Sequence, residues 1–271
     1  MPILTRIQVM VSFKSLLVSS ALACAVSCAP AAEYYTIATN PGSGKRGLAY
    51  NDINLLAAFK GGPFSWSYNW ESRAGGNTAG TEYVPMLWGP RGYVSWNADA
   101  EAGIAAGCKN LLAFNEPDID SQAHMSPEAA AAAYQKYMNQ YAGRARLGSP
   151  AVSNGGPPMG LNWMQTFLDA CAGNCKIDFL AVHWHSPAGN VDDFKRYVSE
   201  AIALGQKYGI GTVWVTEFEG KGDEEAQLNF LKEVLPWLDL NAGVERYAYF
   251  FAQNLVSGGA LTSVGKAYKT I

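Results

Sequence analysis

Apolar positions along the chain follow two rhythms. Short runs rich in β-branched and aromatic residues recur at 46–50, 64–69, 83–88, 110–114, 146–149, 179–183, 212–216 and 246–250. Between them, apolar residues return at helical spacing, as in Phe194, Tyr197, Val198, Ala201, Ile202 and Tyr208, and again in Leu228, Leu231, Leu235 and Leu238. Ser126-Pro127 supplies an N-cap followed by proline at the first helical position. Alternation of strands with helices predicts a parallel sheet. Eight such units in one uninterrupted stretch, 33–271, predict an α/β fold of the (β/α)₈ TIM barrel type in a single domain. An open, doubly wound sheet is the alternative. It wants a glycine-rich phosphate turn after its first strand, whereas Gly42-Ser43-Gly44-Lys45 precedes that strand and matches neither nucleotide fingerprint.

Residues 1–32 follow neither rhythm. Arg6 and Lys14 carry positive charge, residues 16–26 are apolar, and Ala29-Pro30-Ala31-Ala32 offers small residues for cleavage. This pattern predicts a secretory signal peptide, with Met10 as an alternative start, and hence a secreted protein of the extracellular space or cell wall. Residues 263–268 do not form an apolar tail, so a glycolipid anchor is not expected. No Asn-x-Ser/Thr sequon occurs. A net charge of −3 with 16% charged residues leaves no basic footprint for nucleic acid or an anionic membrane. No partner stripe is evident, which suits a monomer. Of the five cysteines, Cys24 and Cys28 fall in the leader. Cys171 and Cys175 flank a short turn and are expected to form a disulfide under oxidising conditions, leaving Cys108 as a buried thiol. Three cysteines at this spacing do not make a zinc site.

A barrel carries its chemistry at the carboxyl ends of its strands. Those ends read Ser65 to Trp70, Pro85 to Trp88, Phe114-Asn115-Glu116-Pro117-Asp118, His183-Trp184-His185, Trp214 to Glu219 and Tyr247 to Phe251. Glu116 and Glu217 each follow a strongly apolar strand, where an unpaired carboxylate is costly, and they stand among aromatic rings and neutral polar groups. Sugars match that mixture, with C–H faces that stack on rings and hydroxyls that need polar partners. Cleaving a glycosidic bond takes one carboxylic acid and one carboxylate, with no cofactor. Glu219, two residues further on, is expected in the following loop and outside the chemistry. His183 and His185 share a strand face and suggest a metal as a rival reading, but further ligands are wanting, and no metal is expected. Tyr134, Tyr137, Tyr141, Trp163 and Trp237 are expected to pack helices.

Asn115-Glu116-Pro117 paired with Thr216-Glu217-Phe218 resembles the large clan of retaining (β/α)₈ glycosidases, in which the first Glu is the acid/base and the second the nucleophile. Ser67-Tyr68-Asn69-Trp70, Leu111 to Asp118, Asp178 to Trp184 and Trp214 to Phe218 more narrowly resemble glycoside hydrolase family 128, also described as a glycosyl hydrolase catalytic core. The resemblance implies a β-1,3-glucanase, endo- or exo-acting, with a β-glucan polysaccharide or oligosaccharide as its partner. It implies that Asn115 bonds the sugar at the cleavage site and that Trp66, Tyr68, Asn69, Trp70, Trp88, His183 and Trp184 contact substrate. Many relatives have Trp-Tyr after the histidine where this chain has Trp184-His185, and Tyr249 or Phe251 stands where a stacking Trp is expected. A wall glucan-binding protein with little turnover, and a hydrolase of another β-glycan, are the competing functions.

Overall fold

The structure, a computed structural model, describes residues 44–271, so the expected leader at 1–32 lies outside the described residues. Eight parallel strands form in the eight expected places: β1 (Arg46–Ala49), β2 (Phe64–Tyr68), β3 (Glu82–Tyr83), β4 (Asn110–Leu111), β5 (Arg146–Val152), β6 (Phe179–Pro187), β7 (Val213–Lys221) and β8 (Val244–Tyr249). They are ordered β3-β2-β1-β8-β7-β6-β5-β4. The ring closes where Met86 bridges Leu112, with Leu87 N–H donating to Leu112 O and Leu112 N–H to Pro85 O, both at 2.9 Å. The described residues therefore form a (β/α)₈ barrel in a single domain. Strands β5, β6 and β7 run three to five residues past the predicted ends, and Glu219 lies within β7 rather than in a loop.

Helices α1 (Tyr93–Ala105), α2 (Pro127–Tyr137), α3 (Gly160–Cys171), α4 (Val191–Lys207) and α5 (Glu224–Leu240) clothe the strands, with α6 (Ala252–Leu255) and α7 (Ser263–Thr270) after β8. Their starts are written locally. Ser126, Asp223 and Thr262 each accept a hydrogen bond from a first-turn N–H, which satisfies donors that have no partner within the helix. In α4 the buried residues are Phe194, Tyr197, Val198, Ala201 and Gly205, one helical stripe turned to the barrel. Cys171 and Cys175 form the expected disulfide at the end of α3, while Cys108 keeps a free, half-buried thiol that burial pushes up to about 11.

Because side chains alternate along a strand, parity sorts them between two cores. Trp66, Tyr68, Val84, Met86, Leu112, Phe179, Trp214 and Ala248 fill the barrel interior. The indole of Trp66 occupies space a side chain at Gly47 would claim, since a Cβ there would fall 2.2 Å from the ring. Below, Arg246 pairs with Glu82 at 2.7 Å and Arg146 pairs with Glu245, which also accepts from Trp214 Nε1 at 3.1 Å. Charges at that end are matched and occupied. The other end is open.

Candidate active site

At the open end, an oxygen of Glu116, an oxygen of Glu217 and a ring nitrogen of His183 all lie within 4.8 Å of one another. Glu116 follows β4 in a left-handed backbone conformation, φ 40°, which a non-glycine residue adopts at a cost of about 1–3 kcal/mol. Hydrogen bonds hold it there. Its N–H donates to Ala151 O at 2.7 Å, and that of Asn115 to Trp88 O at 2.8 Å. Asp118, two residues on, accepts from Ser153 Oγ at 2.6 Å and from Gly160 N–H at 2.9 Å, tying the segment to the start of α3.

Glu217 owes its direction to a β-bulge. Val182 pairs with Val215 but His183 pairs with Glu217, so Thr216 is an extra residue in β7. Before the bulge Trp214 points inward. After it Glu217 and Glu219 do, and Phe218 packs outward on Phe194 and Phe230. The Glu217 carboxylate accepts from Trp70 Nε1 at 2.6 Å, lies 3.0 Å from His185 Nε2, and sits 3.5 Å from His183 Nδ1. The same His183 nitrogen is 3.0 Å from Glu116 Oε1. Burial pushes the Glu217 carboxyl up, but the His183 charge and the His185 and Trp70 hydrogen bonds outweigh it, leaving it below the usual range. Burial lowers His183 and His185, yet the carboxylates raise both, His185 to about 9.

That shift is also a statement about stability. A histidine raised from 6.5 to about 9 contributes fully below pH 6.5, and the contribution drains away as pH rises through 9. Its upper bound is on the order of 3 kcal/mol. The unfolding free energy of the wild type is therefore expected to exceed that of His185→Gln at pH 6, with the gap closing by pH 10. Denaturant titrations at the two pH values measure it, and a constant gap contradicts the charge assignment.

The cleft around these carboxylates measures about 770 Å³ and is lined by Asn51, Asn69, Trp70, Asn115, Gln122, Ser153, Asn154, Phe250 and Phe251 among others. Such a volume suits a small ligand. Of the residues expected here, Asn69, Trp70, Asn115, Glu116 and Glu217 line the cleft, and His183, fully buried, touches both carboxylates. Asn115 Oδ1 is buried and accepts no hydrogen bond from the described residues. Trp88 lies to one side, its ring covered by the Arg91 guanidinium at 3.8 Å.

Four expectations need correction, because full burial leaves no ring face for a sugar. Trp66 lies deep in the barrel against Trp214, its Nε1 donating to Lys45 O at 3.0 Å. Tyr68 supports Trp70 from beneath and donates its hydroxyl to Thr216 O at 2.9 Å. Trp184 points outward, stacked on Phe230, with Nε1 bonded to Asp193 at 3.0 Å. Tyr249 also faces outward, onto Phe218 and Gln227. Of the expected pair Tyr249 or Phe251, it is Phe251 that lines the cleft, and the residues missed are Phe250, His185 and Glu219. Parity along β6 carried part of that signal.

A second cavity of about 650 Å³ lies against α1, lined by Ser72, Tyr83, Asp99, Gly103 and Cys108 among others. Its carboxylates are already engaged, Asp99 by Arg73 and Glu82 by Arg246. It holds no free acid–base pair.

A profile of the family described as "Glycosyl hydrolase catalytic core" matches residues 47–268. The chain is 30% identical over 253 residues to Alkali-sensitive linkage protein 1 of Schizosaccharomyces pombe, an alignment covering 83% of this chain and 44% of that protein. It thus spans less than half the length of that relative. Among solved structures, a subgroup III curdlan-specific exo-β-1,3-glucanase from Blastomyces gilchristii, in complex with glucose, superimposes with a TM-score of 0.84 at 88% identity, over 86% of this chain and 100% of that one. A subgroup I endo-β-1,3-glucanase from Amycolatopsis mediterranei, in complex with laminaritriose, gives 0.70 at 30% identity, over 84% and 99%. On its barrel, its matched profile and these likenesses, the chain belongs to the glycosyl hydrolase catalytic core family, as a member of glycoside hydrolase family 128.

Proposed function

We propose that this protein is a secreted, retaining β-1,3-glucanase acting on curdlan-like glucan from a chain end, with Glu217 as nucleophile and Glu116 as acid/base. The observation that carries the reading is that one oxygen of Glu116 and one of Glu217 lie within 4.8 Å of each other beside His183, at the mouth of the barrel. Retaining glycosidases hold their carboxyl groups about 5–5.5 Å apart, whereas inverting ones leave room for water at about 6.5–9.5 Å. Their environments differ. Glu217 is held ionised by two histidines and an indole, while the Glu116 side chain is the more exposed, at 16% against 6%.

In the first step a Glu217 oxygen bonds to the anomeric carbon. The glycosidic C–O bond breaks, and the leaving oxygen takes the Glu116 proton. In the second, Glu116 accepts a proton from water as the water oxygen attacks the same carbon. Glu217 leaves, and the sugar departs with its configuration retained. Trp70, Phe250 and Phe251 offer stacking faces, and Asn115 Oδ1 offers an acceptor for a sugar hydroxyl. Curdlan and exo action are carried over from the Blastomyces gilchristii relative at 88% identity. Secretion is supported by the apolar leader and by the Cys171–Cys175 disulfide.

Proton NMR of the first products from curdlan and laminarin tests this reading. The β-anomer of a short sugar is expected before mutarotation, with β-1,4-glucan and xylan left intact. An initial α-anomer contradicts retention. Binding of laminarin without release of reducing ends contradicts the enzyme reading itself.

A further inference from the structure

Beside the carboxylate pair lies a contact that the double displacement, as written, does not use. His185 Nε2 is 3.0 Å from Glu217 Oε2, and His185 Nδ1 is 3.6 Å from Glu219 Oε2. A ring with a carboxylate oxygen beyond each nitrogen is satisfied only as a donor at both. The surroundings fix that ring. Its backbone N–H donates to Asn154 Oδ1 at 3.1 Å, and the Phe250 ring meets it edge-on at 4.9 Å. Glu219 is steadied by Asn254 Nδ2, 3.5 Å from its Oε1. The charged groups around His185 are Glu217 and Glu219 from β7, Glu116 from the segment after β4, and His183 on its own strand. The segments after β5 and β8 contribute the neutral Asn154 and Phe250.

We propose that Glu219 is a positioning residue, acting through His185 to keep an N–H aimed at Glu217 Oε2. The inference rests on Glu217 being the nucleophile. Once Glu217 has bonded to the anomeric carbon its negative charge is gone, and the His185 cation, with only 19% of its side chain exposed, keeps Glu219 as its neighbouring counter-charge. Without Glu219 the ring sheds its second proton more readily, and either nitrogen can then turn a lone pair towards the nucleophile.

The chain has three histidines, so imidazole resonances can be assigned one by one. The experiment compares wild type, Glu219→Gln and Glu219→Asp by ¹⁵N NMR titration of His185 and by kcat and KM on laminarin. In Glu219→Gln the His185 midpoint is expected to fall by about one pH unit or more, as loss of an opposite charge within 4–6 Å implies. The kcat should fall about tenfold with KM within about twofold, an effect on a transition-state interaction rather than on binding. Glu219→Asp, which keeps the charge, should recover most of both. An unmoved midpoint overturns the proposal. So does a raised KM with unchanged kcat, which makes Glu219 a sugar contact instead. Glu217→Gln is assayed alongside. If that variant stays active, the nucleophile assignment has failed, whereas the titration reports on the coupling of Glu219 to His185 independently.

Discussion

Replacing Glu217 by Gln is expected to lower kcat on laminarin by about 10⁴-fold or more, the scale seen when a nucleophile is removed from an intact site. The amide keeps the shape, but its single oxygen can accept from only one of Trp70 Nε1 and His185 Nε2, which reach different oxygens of the carboxylate. It has no anionic oxygen to bond to the anomeric carbon. Two histidines also lose a charge partner, so the ordinary burial penalty returns and both should release their protons at lower pH than in the wild type. Initial-rate assays with a sensitive sugar readout check the first effect. Retention of more than about 1% of wild-type activity in a correctly folded variant would falsify the nucleophile assignment.

Glu116→Gln is expected to behave differently, and the difference is diagnostic. On glucan, whose leaving alcohol needs a proton, kcat should fall about 10²–10⁴-fold. On an aryl β-laminaribioside with a dinitrophenol leaving group, no proton is needed for the first step. Glu217 should still be glycosylated quickly, but water, lacking its base, should release the sugar slowly. A burst of one phenol per protein molecule is then expected, followed by a slow steady rate. Azide needs no base and should restore turnover, giving a β-glycosyl azide through two inversions. An α-azide, or no burst and no rescue, assigns Glu116 another role. The variant also loses a charge beside His183 Nδ1, so some loss of order around His183 is part of the expectation.

Much of this was legible in the chain because it is written in local patterns. Strand and helix periods name the eight units, and caps such as Ser126 and Asp223 fix where helices start. Glu116 and Glu217 stand out because an acid after an apolar strand needs a reason. The errors share one cause. Trp66, Tyr68, Trp184 and Tyr249 were assigned to the cleft by their nearness to a strand end, but parity and depth decide which side chains reach it. Trp184 and Tyr249 have the outward parity, and Trp66 and Tyr68 lie too deep.

The sequence by itself marked out the barrel, the two candidate acids and the Cys171–Cys175 staple, since each depends on periodicity, residue type or a short closed loop. Only the tertiary structure decided which way the residues after Trp214 face. The extra residue at Thr216 has no signature in composition or period, because a bulge exists only in the pairing of β7 with β6. That one-residue shift turns Glu217 and Glu219 towards the cleft and Phe218 towards the helices. It places His183 and His185, which lie on the preceding strand with all of α4 between them and Glu217, against the carboxylates. Long-range register set the charge of the site, and with it the different surroundings of two glutamates of identical chemistry.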